Sequence, residues 1–177
     1  MIKAIASFAK KFRKDDTGNA TVEFAILAPV FLFFMMAAVE VGMITLRSTL
    51  LERGLDQTVR WVRLNTGSQV THAQLKDMIC QNNFMSDCAT NMHLEMIDRD
   101  LRNWNDLPRT ATCTDRSLDV QPVSNPQPGV DNELMVLRAC AKFQPIFPSS
   151  WFTSQLVRDQ AGDVRIVAMT AFVMEPR

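Results

Sequence analysis

Hydrophobic positions follow three regimes along the chain. From Phe24 to Leu46 they form an apolar run of 23 residues, and between Glu23 and Glu40 lie 16 residues without a charge. About 20 helical residues, rising about 1.5 Å each, cross the hydrocarbon of a bilayer, so this run is long enough to span one. From Arg47 to Leu64 the pattern becomes one-sided. Leu51, Leu55, Val59 and Val62 share a stripe, while Arg47, Glu52, Arg53, Arg60 and Arg63 lie mostly off it. No breaker intervenes before Asn65-Thr66-Gly67, so the pattern predicts one continuous helix over about residues 20–64, roughly 65 Å long. Pro29 removes a backbone hydrogen bond and favours a kink of the kind membrane helices tolerate, and Gly42 is a second weak point. The first half of this helix is apolar all round, whereas the second half requires a surface to pack on.

The third regime is strand-like. After the break, Thr71 is placed to cap a short helix through Cys80 that carries Leu75, Met78 and Ile79. Met92, Leu94 and Met96 then alternate with His93, Glu95 and Ile97, as in a half-buried strand, and Leu118–Val123 repeats the pattern more briefly. Asn125–Gly129 reads as a turn or loop, Leu134–Phe143 as a longer strand ended at Pro145, Pro148–Phe152 as a loop or short helix, and Val164–Val173 as a last strand. The predicted fold class is α+β: a long N-terminal helix whose exported half packs on an antiparallel sheet of three or four strands.

Charge adds direction. The formal net charge is zero, which does not indicate a nucleic-acid surface. Residues 1–18 hold Lys3, Lys10, Lys11, Arg13 and Lys14 against Asp15 and Asp16, a net of +3, leaving −3 for the remainder. Positive charge beside an apolar segment keeps that flank in the cytoplasm, so residues 47–177 are expected outside it. Ile2, Ile5, Phe8, Ala9 and Phe12 also share a helical face, consistent with a basic amphipathic leader on the inner leaflet that breaks at Asp15–Gly18. These features divide the chain into a leader over 1–18, a transmembrane half-helix over 19–46 and an exported domain over 47–177. Cys80, Cys88, Cys113 and Cys140 all fall on the exported side. An even count in an oxidising space favours two disulfides. Three pairings are open, with Cys80–Cys88 and Cys113–Cys140 favoured by proximity and buried free thiols as the alternative. No Cys-x-x-Cys is present and neither His72 nor His93 has a usual ligand spacing, so no metal and no cofactor is expected.

Catalytic signatures are equally lacking: there is no Gly-x-Ser-x-Gly, phosphate loop, Gly-x-Gly-x-x-Gly or His-Glu-x-x-His. The charged stretch of Asp98, Arg99, Asp100, Arg102 and Asp106 reads as a solvated loop. Glu23 and Glu40 carry more information, because a carboxylate at the centre of a bilayer costs about 2.5–3.5 kcal/mol. At headgroup level Glu23 costs little. Glu40 is two turns from Arg47, where it can pair or mark the outer interface.

Gly18 followed by Asn19, with Glu23-Phe24 at the head of an apolar helix, resembles the processing site of type IV pilin-like proteins. The run Gly18-Asn-Ala-Thr-Val-Glu-Phe-Ala-Ile-Leu-Ala-Pro-Val-Phe31 and the later Val39-Glu40-Val41-Gly42 resemble the TadE/TadG-like pseudopilins of tight-adherence (Flp-type) pilus systems, over roughly residues 13–65. The resemblance implies a non-enzymatic minor pilin of a bacterial inner membrane, with its N-terminus cytoplasmic and its C-terminal domain periplasmic. It implies cleavage by a prepilin peptidase between Gly18 and Asn19, and a Glu23 that answers the N-terminal amine of a neighbouring subunit. The implied partners are that peptidase, other pilins and pseudopilins, the inner-membrane assembly platform and the lipid bilayer. The rival reading is an uncleaved, signal-anchored periplasmic binding or scaffold protein, which gives Gly18 no role. A signal peptide is disfavoured, because the run exceeds the usual core of about 7–15 residues and no small-x-small site closes it.

Overall fold

The computed structural model describes residues 20–65, 70–81, 88–100, 102–103, 106–114 and 129–176. The expected leader, Gly18, Asn19 and the strand expected over 118–123 lie outside the described residues. Helix α1 spans Ala20–Leu64, 45 residues, and continues through Pro29. The chain divides into two compact units, Met1–Val39 and Glu40–Arg177. In the first unit Phe24, Ile26, Leu27, Phe31 and Phe34 all stand exposed. Among the described residues of its own unit nothing covers this apolar surface, and α1 is long and apolar enough to cross a membrane.

The second unit builds the core. Leu51, Leu55, Val59 and Val62 of α1 are buried, each side chain contributing about 1.5–3 kcal/mol on leaving water. Helix α2, His72–Cys80, is capped by Thr71: its hydroxyl accepts from Gln74 N at 3.3 Å and the Gln74 side chain accepts from Thr71 N at 3.0 Å. It buries Leu75 and Ile79 close to α1. A Cβ built on Gly54 would stand 2.8 Å from the Ile79 carbonyl oxygen, so the absence of a side chain there is what allows the approach.

Helix α3, Cys88–Asn91, leads into strand β1, Met92–Arg99, followed by β2, Leu134–Phe143, helix α4, Trp151–Ser154, and β3, Val164–Val173. The strands form an antiparallel sheet in the order β1-β2-β3, with Leu94 opposite Ala139 and Ala139 opposite Ala168. Met92 and Leu94 of β1, Leu137, Ala139 and Ala141 of β2, and Ile166 and Ala168 of β3 join the α1 stripe and α2 in one hydrophobic cluster. The one-sided half of α1 thereby obtains its partner surface, and the α+β class with its small antiparallel sheet is the architecture found.

Strand β2 is buried along almost its whole length, including Arg138 and Lys142. Its outward face is covered by the segment around Pro108–Thr114: Arg138 Nη1 donates to Pro108 O at 2.8 Å, and Cys140 is joined to Cys113. Strand β1 extends beyond the expected alternation, so Asp98 and Arg99 pair with Met135 and Leu134. Of the charged stretch, Asp100 and Arg102 are solvated, Asp100 Oδ1 accepting from Arg102 N at 2.8 Å.

Candidate functional site

Two regions of α1 hold the carboxylates singled out by the sequence. Glu23 lies in the first turn, where a negative charge complements the helix dipole. It is exposed, and beside it Phe24 is 71% exposed. Both therefore stand on the outer surface of the helix, open to another molecule.

Glu40 has a different environment. It is 1% exposed, and its two carboxylate oxygens accept from Ile146 N at 3.2 Å and Phe147 N at 3.0 Å. A buried carboxylate requires donors, and the loop after β2 provides two from the backbone. Arg47 works on the same loop, its Nη1 donating to Gln144 O at 3.3 Å while its guanidinium lies 4.3 Å from the centre of the Phe143 ring. Burial holds the Arg47 guanidinium below its ordinary range, against the opposing pull of the Glu40 charge. The two side chains tie neighbouring points of one loop to α1, a role that helical spacing alone does not suggest. No periodic signal links Glu40 to residues more than a hundred positions away.

The four cysteines form Cys80–Cys88, closing eight positions, and Cys113–Cys140, closing 27. The first joins the end of α2 to α3, and the second fastens the covering segment to β2. Alongside it, Arg138 Nε donates to Glu95 Oε2 at 2.7 Å and Lys142 Nζ to Asp159 Oδ2 at 2.7 Å. Burial pushes the Glu95 carboxyl up, but hydrogen bonds from Thr112 and Arg138 outweigh it and leave the group below its usual range. These charges are committed to holding the outer face of the sheet.

His72 and His93 come together from α2 and β1, with ring centres 6.0 Å apart. Burial and the neighbouring charges lower both below 6.5, His72 through Lys76 and His93 through His72 itself. Among the described residues no group of three or more His, Cys, Asp or Glu could hold a metal ion.

Residues 18–60 match the family model described as TadE-like protein, a stretch that takes in Gly18, Glu23, Glu40 and most of the one-sided half of α1. No curated protein and no solved structure matches the chain. The apolar half of α1 and this match together point to a membrane-anchored protein, and the TadE-like family is structural rather than enzymatic. Over residues 18–60 the chain is thus similar to TadE-like proteins.

Proposed function

We propose that this protein is a minor pilin, or pseudopilin, of a tight-adherence pilus. A prepilin peptidase cuts it after Gly18, and it acts in pilus initiation, assembly or tip formation. The observation that supports this reading is the TadE-like match over residues 18–60, a stretch that includes Gly18, Glu23 and the exposed apolar part of α1. Before cleavage the basic leader holds the cytoplasmic flank, α1 crosses the inner membrane, and the disulfide-bonded unit stands in the periplasm. Removing the leader takes away five cations that oppose extraction of the helix. It also creates an α-amine at Asn19 that is cationic near neutral pH. In a filament of packed apolar helices an unpaired charge is expensive, and Glu23 of a neighbouring subunit neutralises it, fixing the axial register of the two helices. Its exposed position in the first turn leaves it open to such a partner.

The burial of Glu40 supports a membrane boundary at Val39. A carboxylate bonded to the loop at Ile146 and Phe147 belongs to the periplasmic unit, so the span runs from about Ala20 to Val39. Twenty residues give about 30 Å, the thickness of the hydrocarbon core. The boundary falls seven residues before the end of the apolar run.

A pilus-producing strain lacking this protein and complemented with variants tests the reading. Glu23→Ala is cleaved normally but fails to support assembly, while Glu23→Asp retains part of it. Wild-type piliation with Glu23→Ala removes the pairing role.

A further inference from the structure

The loop between β2 and β3 has a composition unlike the rest of the exported unit. Lys142 and Arg158 bound 15 residues, Phe143–Val157, that contain no charge. In a chain that is 21% charged, this run is nearly as long as the uncharged stretch of the membrane segment. Ile146 is 42% exposed and Trp151 67% exposed, the latter on a helix that Ser150 caps by accepting from Thr153 N at 3.2 Å.

Its position follows from α1. Arg47 holds Gln144, and Glu40, seven residues nearer the helix N-terminus, holds Ile146 and Phe147. Leaving β2, the loop therefore runs along α1 from Arg47 toward Glu40, in the direction of the helix N-terminus. Ser150 N then donates to Phe147 O at 3.1 Å, turning the chain immediately before Trp151. Glu40 directly follows Val39 in the same helix, so a loop hydrogen-bonded to its carboxylate stands at the exit of the span.

From this geometry we infer that the Ile146–Trp151 loop is a second membrane contact, resting in the headgroup layer of the periplasmic leaflet with Trp151 as its interfacial anchor. The occupant is lipid rather than protein because the loop is bonded to Glu40, the residue that follows the span in sequence. An exposed indole, an exposed aliphatic side chain and Ser and Thr hydroxyls without charge suit a layer that is apolar on one side and wet on the other. Glu40 then acts as a positioning residue that holds the loop at that depth. The inference rests on residues 20–39 being the membrane span.

The test uses the full chain in phosphatidylcholine–phosphatidylglycerol vesicles containing lipid with a headgroup quencher. One chain keeps only Trp151 (Trp61→Phe, Trp104→Phe) and a second keeps only Trp61. Trp61 lies 21 residues beyond Glu40 on α1, about 32 Å along the helix. A third chain lacks all three tryptophans and carries Phe34→Trp, read with an acyl-chain quencher. Loss of Trp151 emission with Trp61 spared is the result expected. Trp151 left unquenched while the position-34 indole is quenched overturns the loop contact and leaves the anchor intact. Equal quenching of Trp61 and Trp151 overturns it too, since the whole unit then lies on lipid. An unquenched position-34 indole overturns the span, and the loop contact with it.

Discussion

Glu40 and Phe147 are joined across 107 positions of sequence: the carboxylate of one accepts the backbone N–H of the other at 3.0 Å, and Ile146 N donates to the second oxygen at 3.2 Å. This bond fastens the start of the β2–β3 loop to α1 where the helix leaves its apolar half. Hydrogen bonds to a charged group contribute about 1.5–3 kcal/mol each. Glu40→Ala is therefore expected to lower the thermal unfolding midpoint of the full chain in detergent and to open residues 144–150 to proteolysis. Glu40→Gln, which keeps one acceptor, falls between. An Ala variant as stable and protease-resistant as the parent contradicts the tether.

Two glycines of α1 offer a matched comparison. A Cβ at Gly54 meets the Ile79 carbonyl at 2.8 Å and Ile79 Cγ2 at 3.2 Å, whereas at Gly42 nothing lies within 4 Å. Backbone cannot yield as a flexible side chain can, so Gly54→Ala forces α1 and α2 apart at about 1–3 kcal/mol. Gly42→Ala is neutral or stabilising by up to about 1 kcal/mol through helix propensity. Calorimetric midpoints of the two variants should move in opposite directions, or only that of Gly54→Ala should fall.

The disulfides differ in the length of chain they close. By loop-closure entropy the Cys113–Cys140 bridge, spanning 27 positions, stabilises by about 3.5 kcal/mol and the Cys80–Cys88 bridge, spanning eight, by about 2.5 kcal/mol. Cys140 is also buried in β2. Paired Cys→Ser replacement of Cys113 and Cys140 should lower the unfolding midpoint more than replacement of Cys80 and Cys88. Equal effects would show that the segment over β2 is held by Arg138 and Glu95 instead.

Acid should loosen the contact between α2 and β1. His72 and His93 both have folded values below 6.5, so as pH falls the unfolded chain takes up protons first. The stability these groups permit is complete above 6.5 and is lost as pH falls through that value toward their folded ones. Lys76 adds to the repulsion and Glu95 moderates it for His93. Glu95 is itself held below its ordinary 4.5, so its own stabilisation is lost only in stronger acid and leaves the window from pH 7 to 5 to the histidines. Unfolding midpoints across that window should fall for the parent and fall less for His93→Gln. An unchanged slope in His93→Gln would exclude the pair as the source.

The helix was legible because its two halves obey different rules. All-round apolarity from Phe24 and the stripe of Leu51, Leu55, Val59 and Val62 are local patterns, as are the Thr71 cap and the runs at Leu134 and Val164. What periodicity does not carry is the partner of a polar group. Arg138 and Lys142 are charged residues in a strand, which would ordinarily mark a solvated face. They are buried because an irregular segment, with no repeat to announce it, lies over them and brings Cys113, while Glu95 and Asp159 supply the opposite charges. Glu40 was conspicuous by its place in an apolar run, but its nearest cation in sequence, Arg47, suggested a local pair rather than a loop 106 positions away. Gly54 gave no signal, since a close approach between helices depends on both of them.

On the proposed function, the helix becomes free for assembly when the chain is cut after Gly18. The most direct test is the N-terminal sequence of the mature protein, taken from membranes of cells that co-express a prepilin peptidase, with Gly18→Ala as control. A chain that begins at Asn19, together with a Gly18→Ala chain that still carries its leader, is the result predicted. A parent chain that still begins at Met1 in the presence of an active peptidase would contradict the account and leave an uncleaved membrane-anchored protein in its place.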